Sequence, residues 1–113
     1  MRPGSVPDDA PRGLTAAGRT AEPWEMEGCS AAAGALRSTT YDMAAFATWF
    51  MENGDTSYGW QKNDDGKSFW HNGGTYGYST MLIIDPKENR AAFANNDSPA
   101  GTEDLAEALF ERI

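Results

Sequence analysis

The period of hydrophobic and polar positions changes twice along the chain, from helical to strand-like and back to helical. Ser38-Thr39-Thr40-Tyr41-Asp42 opens a helix, because Thr39 caps the first turn and Asp42 complements its free N–H groups and positive dipole end. Met43, Phe46, Ala47 and Phe50 then share one helical face, and Asn53-Gly54 reads as a left-handed stop, which predicts a helix over 40–52. Short strand-like pieces follow at Tyr58 to Lys62 and Lys67 to Asn72, separated by the turn signal Asn63-Asp64-Asp65-Gly66 and followed by a glycine-rich turn over Gly73 to Gly77. Thr80 to Ile84 and Arg90 to Ala94, joined through Asp85-Pro86-Lys87-Glu88-Asn89, predict a hairpin. Thr102 is expected to cap a last helix whose Leu105, Ala108, Leu109 and Ile113 form an apolar stripe.

The predicted fold class is α+β: an antiparallel sheet meander covered by helices, with both helices on one sheet face. Upstream, residues 1–23 carry four prolines and three glycines and few large apolar side chains, and are expected to form a flexible, extended lead-in. Trp24 to Leu36 reads as a tightly packed loop, so the domain is expected over 24–113. A chain of 113 residues suits one small core.

Nine basic residues against seventeen acidic ones leave a net charge of −8. With no Lys/Arg cluster, nucleic acid is excluded as a partner. No apolar run approaches a bilayer span, and no stretch resembles a signal peptide, which predicts a soluble chain, cytoplasmic as written. The single Cys29 closes no disulfide within the chain, and no cofactor or metal site is predicted. A nucleophilic Cys29 beside His71 is outweighed by a small packed side chain.

The chemically informative stretch is Phe69-Trp70-His71-Asn72-Gly73-Gly74-Thr75-Tyr76-Gly77-Tyr78-Ser79. Glycines inside a strand weaken it and mark places where a backbone bulges or a ligand approaches closely. On composition alone, the favoured reading is structural: a glycine-rich hairpin end with a satisfied surface histidine. The aromatics Trp49, Trp60, Trp70, Tyr76 and Tyr78 read either as sheet packing or as a ligand platform.

Trp70 to Tyr78 resembles the third conserved box of the serine beta-lactamase, penicillin-binding protein and family VIII esterase superfamily, in which Lys-Thr-Gly or His-x-Gly precedes a Gly/Tyr-rich turn. Gly34-Ala35-Leu36-Arg37-Ser38-Thr39-Thr40-Tyr41-Asp42-Met43 is similar to a Gly-Gly-Leu-x-Ser-Thr-x-x-Asp-Met segment of the same superfamily, and Asp85-Pro86 closes the next strand as it often does there. The resemblance spans about residues 20–113. It implies a partial beta-lactamase-like (DD-peptidase-like) fold and an acyl transfer in which an activated serine attacks a carbonyl while backbone N–H groups hold the oxyanion.

By position, the resemblance makes His71 the basic residue, a donor or titratable charge near the substrate carboxylate or the base. Asn72 stands where Thr is commoner and would bond substrate. Gly73 keeps the strand open, and Gly74 contributes an oxyanion-hole N–H. Tyr76 and Tyr78 are expected beside the substrate groove. Asp42 reads as a helix-start residue rather than a catalytic acid. No serine is followed three residues later by lysine, and no Tyr-x-Asn or Ser-x-Asn occurs. The superfamily's nucleophile motif would therefore fall before Met1, and the chain is expected to be a C-terminal fragment, inactive alone. Its partners would be a small-molecule or peptide-like acyl substrate, once an N-terminal half is supplied. A non-catalytic module binding partners through an exposed sheet edge, self-association through such edges, and a decayed fragment are the competing expectations.

Overall fold

A computed structural model describes residues 8–24, 26 and 28–113. Its described elements run α1 (Ala31–Gly34, after a 3-10 turn at Gly28–Ser30), α2 (Thr40–Asn53), β1 (Gln61–Lys62), β2 (Phe69–Gly74), β3 (Ser79–Asp85), β4 (Arg90–Asn96) and α3 (Glu103–Phe110). The fold is mixed α and β, with an open antiparallel sheet in the order β1-β2-β3-β4.

The sheet centres on β3, where Met81, Leu82, Ile83 and Ile84 are all buried. Successive side chains of a strand point to opposite faces, so this unbroken apolar run requires cover on both sides. Met81 and Ile83 meet Ala92, Ala94, Ala106, Phe110 and the half-buried Trp70 on one face. Leu82 and Ile84 meet Ala47, Met43, Phe46, Phe50, Phe69 and Phe93 on the other. The expectation that both helices share one face is therefore corrected: α3 and α2 cover opposite faces, and the sheet is the middle layer. Ala92 and Ala94 are small enough to admit Ala106 of α3, which is fully buried.

Local chemistry sets the element ends. Thr39 Oγ1 accepts from the Asp42 N–H at 3.1 Å, capping α2 as its sequence predicts. Gly54 at the other end is extended, with φ −81° and ψ 165°, rather than left-handed. Glycine is required there for contact: an added Cβ would lie 2.5 Å from the Phe50 ring. Thr102 precedes α3 without a side-chain cap bond, and its buried Oγ1 has no partner among the described residues. The buried face of α3 is Ala106 and Phe110, whereas Leu105, Leu109 and Ile113 of the expected stripe are exposed. Both strands flanking the first turn differ from expectation, since β1 keeps only Gln61–Lys62 and β2 extends through Gly74.

Of the expected lead-in over 1–23, residues 1–7 lie outside the described residues. Leu14 and Thr20 form an isolated antiparallel bridge, Ala21 N–H donates to the Gly13 C=O at 2.8 Å, and Ala21 is buried. Within 24–36 the expected packed loop holds the short helix α1, of which no residue is buried, and Cys29 is exposed rather than packed.

Candidate functional site

The candidate residues lie on β2 and on the turn joining it to β3. The β2–β3 register pairs Trp70 with Ile83, His71 with Leu82, Asn72 with Met81, Gly73 with Thr80 and Gly74 with Ser79. The side chain of His71 consequently belongs to the α2 face, and those of Trp70 and Asn72 to the α3 face. His71 is exposed. Asn72 Nδ2 donates to Glu103 Oε1 at 3.1 Å, tying β2 to the first residue of α3. The Glu103 carboxyl is held below the usual carboxylate range, first by its own backbone N–H and next by the Asn72 amide.

Backbone direction decides what the strand offers at its edge. Asn63 N–H donates to the Ser68 C=O at 3.0 Å on the β1 side, and Thr75 N–H donates to the Tyr78 C=O at 2.9 Å on the β3 side. Hydrogen-bonding direction alternates along an antiparallel strand, so Trp70, Asn72 and Gly74 turn their N–H and C=O outward. The pairing with β1 covers only Phe69 and Trp70. Beyond them, the outward groups of Asn72 and Gly74 have no partner strand among the described residues. A Cβ built at Gly74 would meet nothing within 4 Å, and one at Gly73 would come 3.1 Å from Thr80 Oγ1. Gly74 thus presents an open backbone.

The two tyrosines diverge. Tyr76 is 69% exposed and stands edge-on to Trp24, ring centres 5.1 Å apart. The Tyr78 hydroxyl accepts from the Gly13 N–H at 2.9 Å and donates to the Pro11 C=O at 2.6 Å. Gly13 and Gly77 are packed so closely that a Cβ on Gly13 would collide with the Gly77 carbonyl. The glycine at 77 therefore serves the docking of the N-terminal segment. Of the other aromatics, Trp60 and Trp70 join the two cores, and Trp49 is largely exposed.

The upstream motif acts through α2: Asp42 sits in the first turn, bonded through its backbone to Thr39, and Arg37 Nη2 donates to the Trp24 C=O at 2.8 Å. A shallow depression of about 350 Å³ lies at the far end of the sheet, lined by Lys67, Asp85, Glu88, Arg90 and Ile113. There Asp85 accepts from the Lys87 and Glu88 N–H groups, pairs with Arg90 at 3.6 Å, and Arg90 lies 4.3 Å over the Phe110 ring. The Asp85 and Arg90 pair was legible as opposite charges flanking a hairpin turn. Glu103 meeting Asn72 across 31 residues carried no sequence signal.

No family model, no curated protein and no solved structure matches the chain. No described helix is long and apolar enough to cross a membrane.

Proposed function

We propose that β2 is the acyl-substrate strand of a serine hydrolase resembling the beta-lactamase, penicillin-binding protein and family VIII esterase group, completed by a nucleophile-bearing segment outside these 113 residues. The observation that carries the reading is the sterically open outward N–H of Gly74, unpaired among the described residues, on the strand with the His-Asn-Gly sequence. In the completed site a serine Oγ attacks the substrate carbonyl and passes its proton to a base on the other segment. Gly74 N–H and a second backbone N–H hold the oxyanion until the leaving group departs with a proton, and water then releases the acyl group. His71 supplies a donor beside the substrate. Asn72 has its amide committed to Glu103, which leaves its carbonyl oxygen for substrate.

Labelling with a fluorescent penicillin or a fluorophosphonate tests this, using the chain alone and then mixed with a half containing Ser-x-x-Lys. Label is expected only in the mixture. Gly74→Pro removes one oxyanion donor and is expected to slow labelling by roughly 10²–10³, and His71→Ala to weaken it. Labelling of the chain alone would place the nucleophile within these residues.

A second reading rests on the same edge. Two successive outward positions, Asn72 and Gly74, offer N–H and C=O groups to an extended peptide by strand addition, and the chain contains no Ser-x-x-Lys. Binding without labelling in either sample favours it.

A further inference from the structure

The substrate strand and α3 meet at one carboxylate. Asn72 Nδ2 donates to Glu103 Oε1 at 3.1 Å, and the same carboxylate is stabilised by its own backbone N–H and by that of Thr102, the residue before α3. A Cβ on Gly101 would collide with Glu103 Oε2, so the bare backbone ahead of the helix leaves room for this group. These interactions favour its ionised form. The positive end of the helix dipole supports negative charge in the first turn of α3, where Asp104 adds a second acid.

Glu103 has no ion-pair partner among the described residues. Neither β2, the Thr75 to Tyr78 turn, β3 nor α3 contains Lys or Arg. Lys67 and Arg90 stand at the far end of the sheet, where Arg90 pairs with Asp85, and Arg37 is bonded to the Trp24 C=O. His71 belongs to the α2 face, across the sheet from Asn72 and Glu103. The charge on the α3 side of the substrate strand is therefore negative.

We propose that this site selects acyl substrates with no carboxylate beside the scissile bond, uncharged esters foremost, because Glu103 takes the donors that a substrate carboxylate would use. The inference rests on the hydrolase reading and narrows it. A carboxylate laid along the α3 side of β2 would need the Asn72 amide and the N–H groups at the start of α3, and Glu103 already engages both. It would also lie against the Glu103 charge, on a chain that carries −8. What Asn72 has left is its carbonyl oxygen, an acceptor that suits a substrate donor rather than an anion. An uncharged ester forfeits nothing, since the outward Gly74 N–H proposed to hold its oxyanion makes no described bond to Glu103.

Competition against a fluorophosphonate label, in the mixture with a half containing Ser-x-x-Lys, tests it. The competitors are meta-acetoxybenzoate and its methyl ester, which differ by one methyl group and one charge. The methyl ester is expected to halve the labelling rate at a concentration at least about tenfold below that of the acid. Glu103→Gln keeps an acceptor for Asn72 and removes the charge, and is expected to close most of that gap. Glu103→Lys is expected to reverse it, with unchanged circular dichroism in both variants. Loss of a merely structural contact would weaken both competitors alike and leave the gap in place. An acid that competes as well as its ester, or a gap that survives both substitutions, overturns the inference while the hydrolase reading stands. No fluorophosphonate label in the mixture overturns both.

Discussion

Asp65 shows how one carboxylate organises a turn. Its Oδ1 accepts from the Lys67 and Ser68 N–H groups at 2.8 and 2.9 Å, and its Oδ2 from Ser68 Oγ at 2.7 Å, while Asn63 Nδ2 reaches the same hydroxyl. These bonds, led by that from Lys67 N–H, favour the ionised form and lower its pKa to about 2. A carboxyl depressed in the folded state adds stability that is complete above its unfolded value near 3.9 and is lost as pH falls toward 2. A carbon-detected NMR titration is expected to give Asp65 a midpoint near 2, and Asp65→Ala to abolish that titration and loosen the Asn63 to Ser68 turn. The Asn-Asp-Asp-Gly sequence predicts the turn. Which of its two aspartates receives the bonds is decided by Ser68, which is fully buried.

At the scale of elements, two threonines precede helices and do different things. Thr39 caps α2 through its side chain, so Thr39→Ala is expected to cost about 1 kcal/mol in denaturant unfolding. Thr102 precedes α3 with a buried hydroxyl that has no partner among the described residues. Removing an unsatisfied buried polar group without changing shape costs nothing and relieves desolvation, so Thr102→Val is expected to be neutral or stabilising in the same assay. Propensity rules rank the two threonines alike. The difference lies in burial: Thr39 stands at an exposed helix start and Thr102 is covered by the tertiary fold.

Across the whole molecule, Tyr78 joins the N-terminal segment to the β2–β3 turn by two hydrogen bonds spanning more than sixty residues. Tyr78→Phe leaves the buried Gly13 N–H unpaired, at a cost of about 1–3 kcal/mol. Hydrogen exchange and limited proteolysis are expected to show faster opening over 11–21, with protection of β3 and β4 retained. Such a result would separate the docking of this segment from the stability of the sheet.

Near neighbours in the sequence specify the helix capped by Thr39, the β3–β4 hairpin around Asp85-Pro86, and the place of the glycine-rich stretch between two strands. Each depends on neighbours a few residues apart, where capping, turn chemistry and period act. The uninterrupted Met81 to Ile84 run also calls for cover on both faces, although the local patterns of the two helices do not say which face each takes. That assignment comes from the tertiary packing, as do the pairing of Asn72 with Glu103, the capture of Tyr78 by Pro11 and Gly13, and the outward groups at Gly74 that are unpaired among the described residues. Those features join residues tens of positions apart, or depend on where a neighbouring strand stops, and local periodicity carries no information about either.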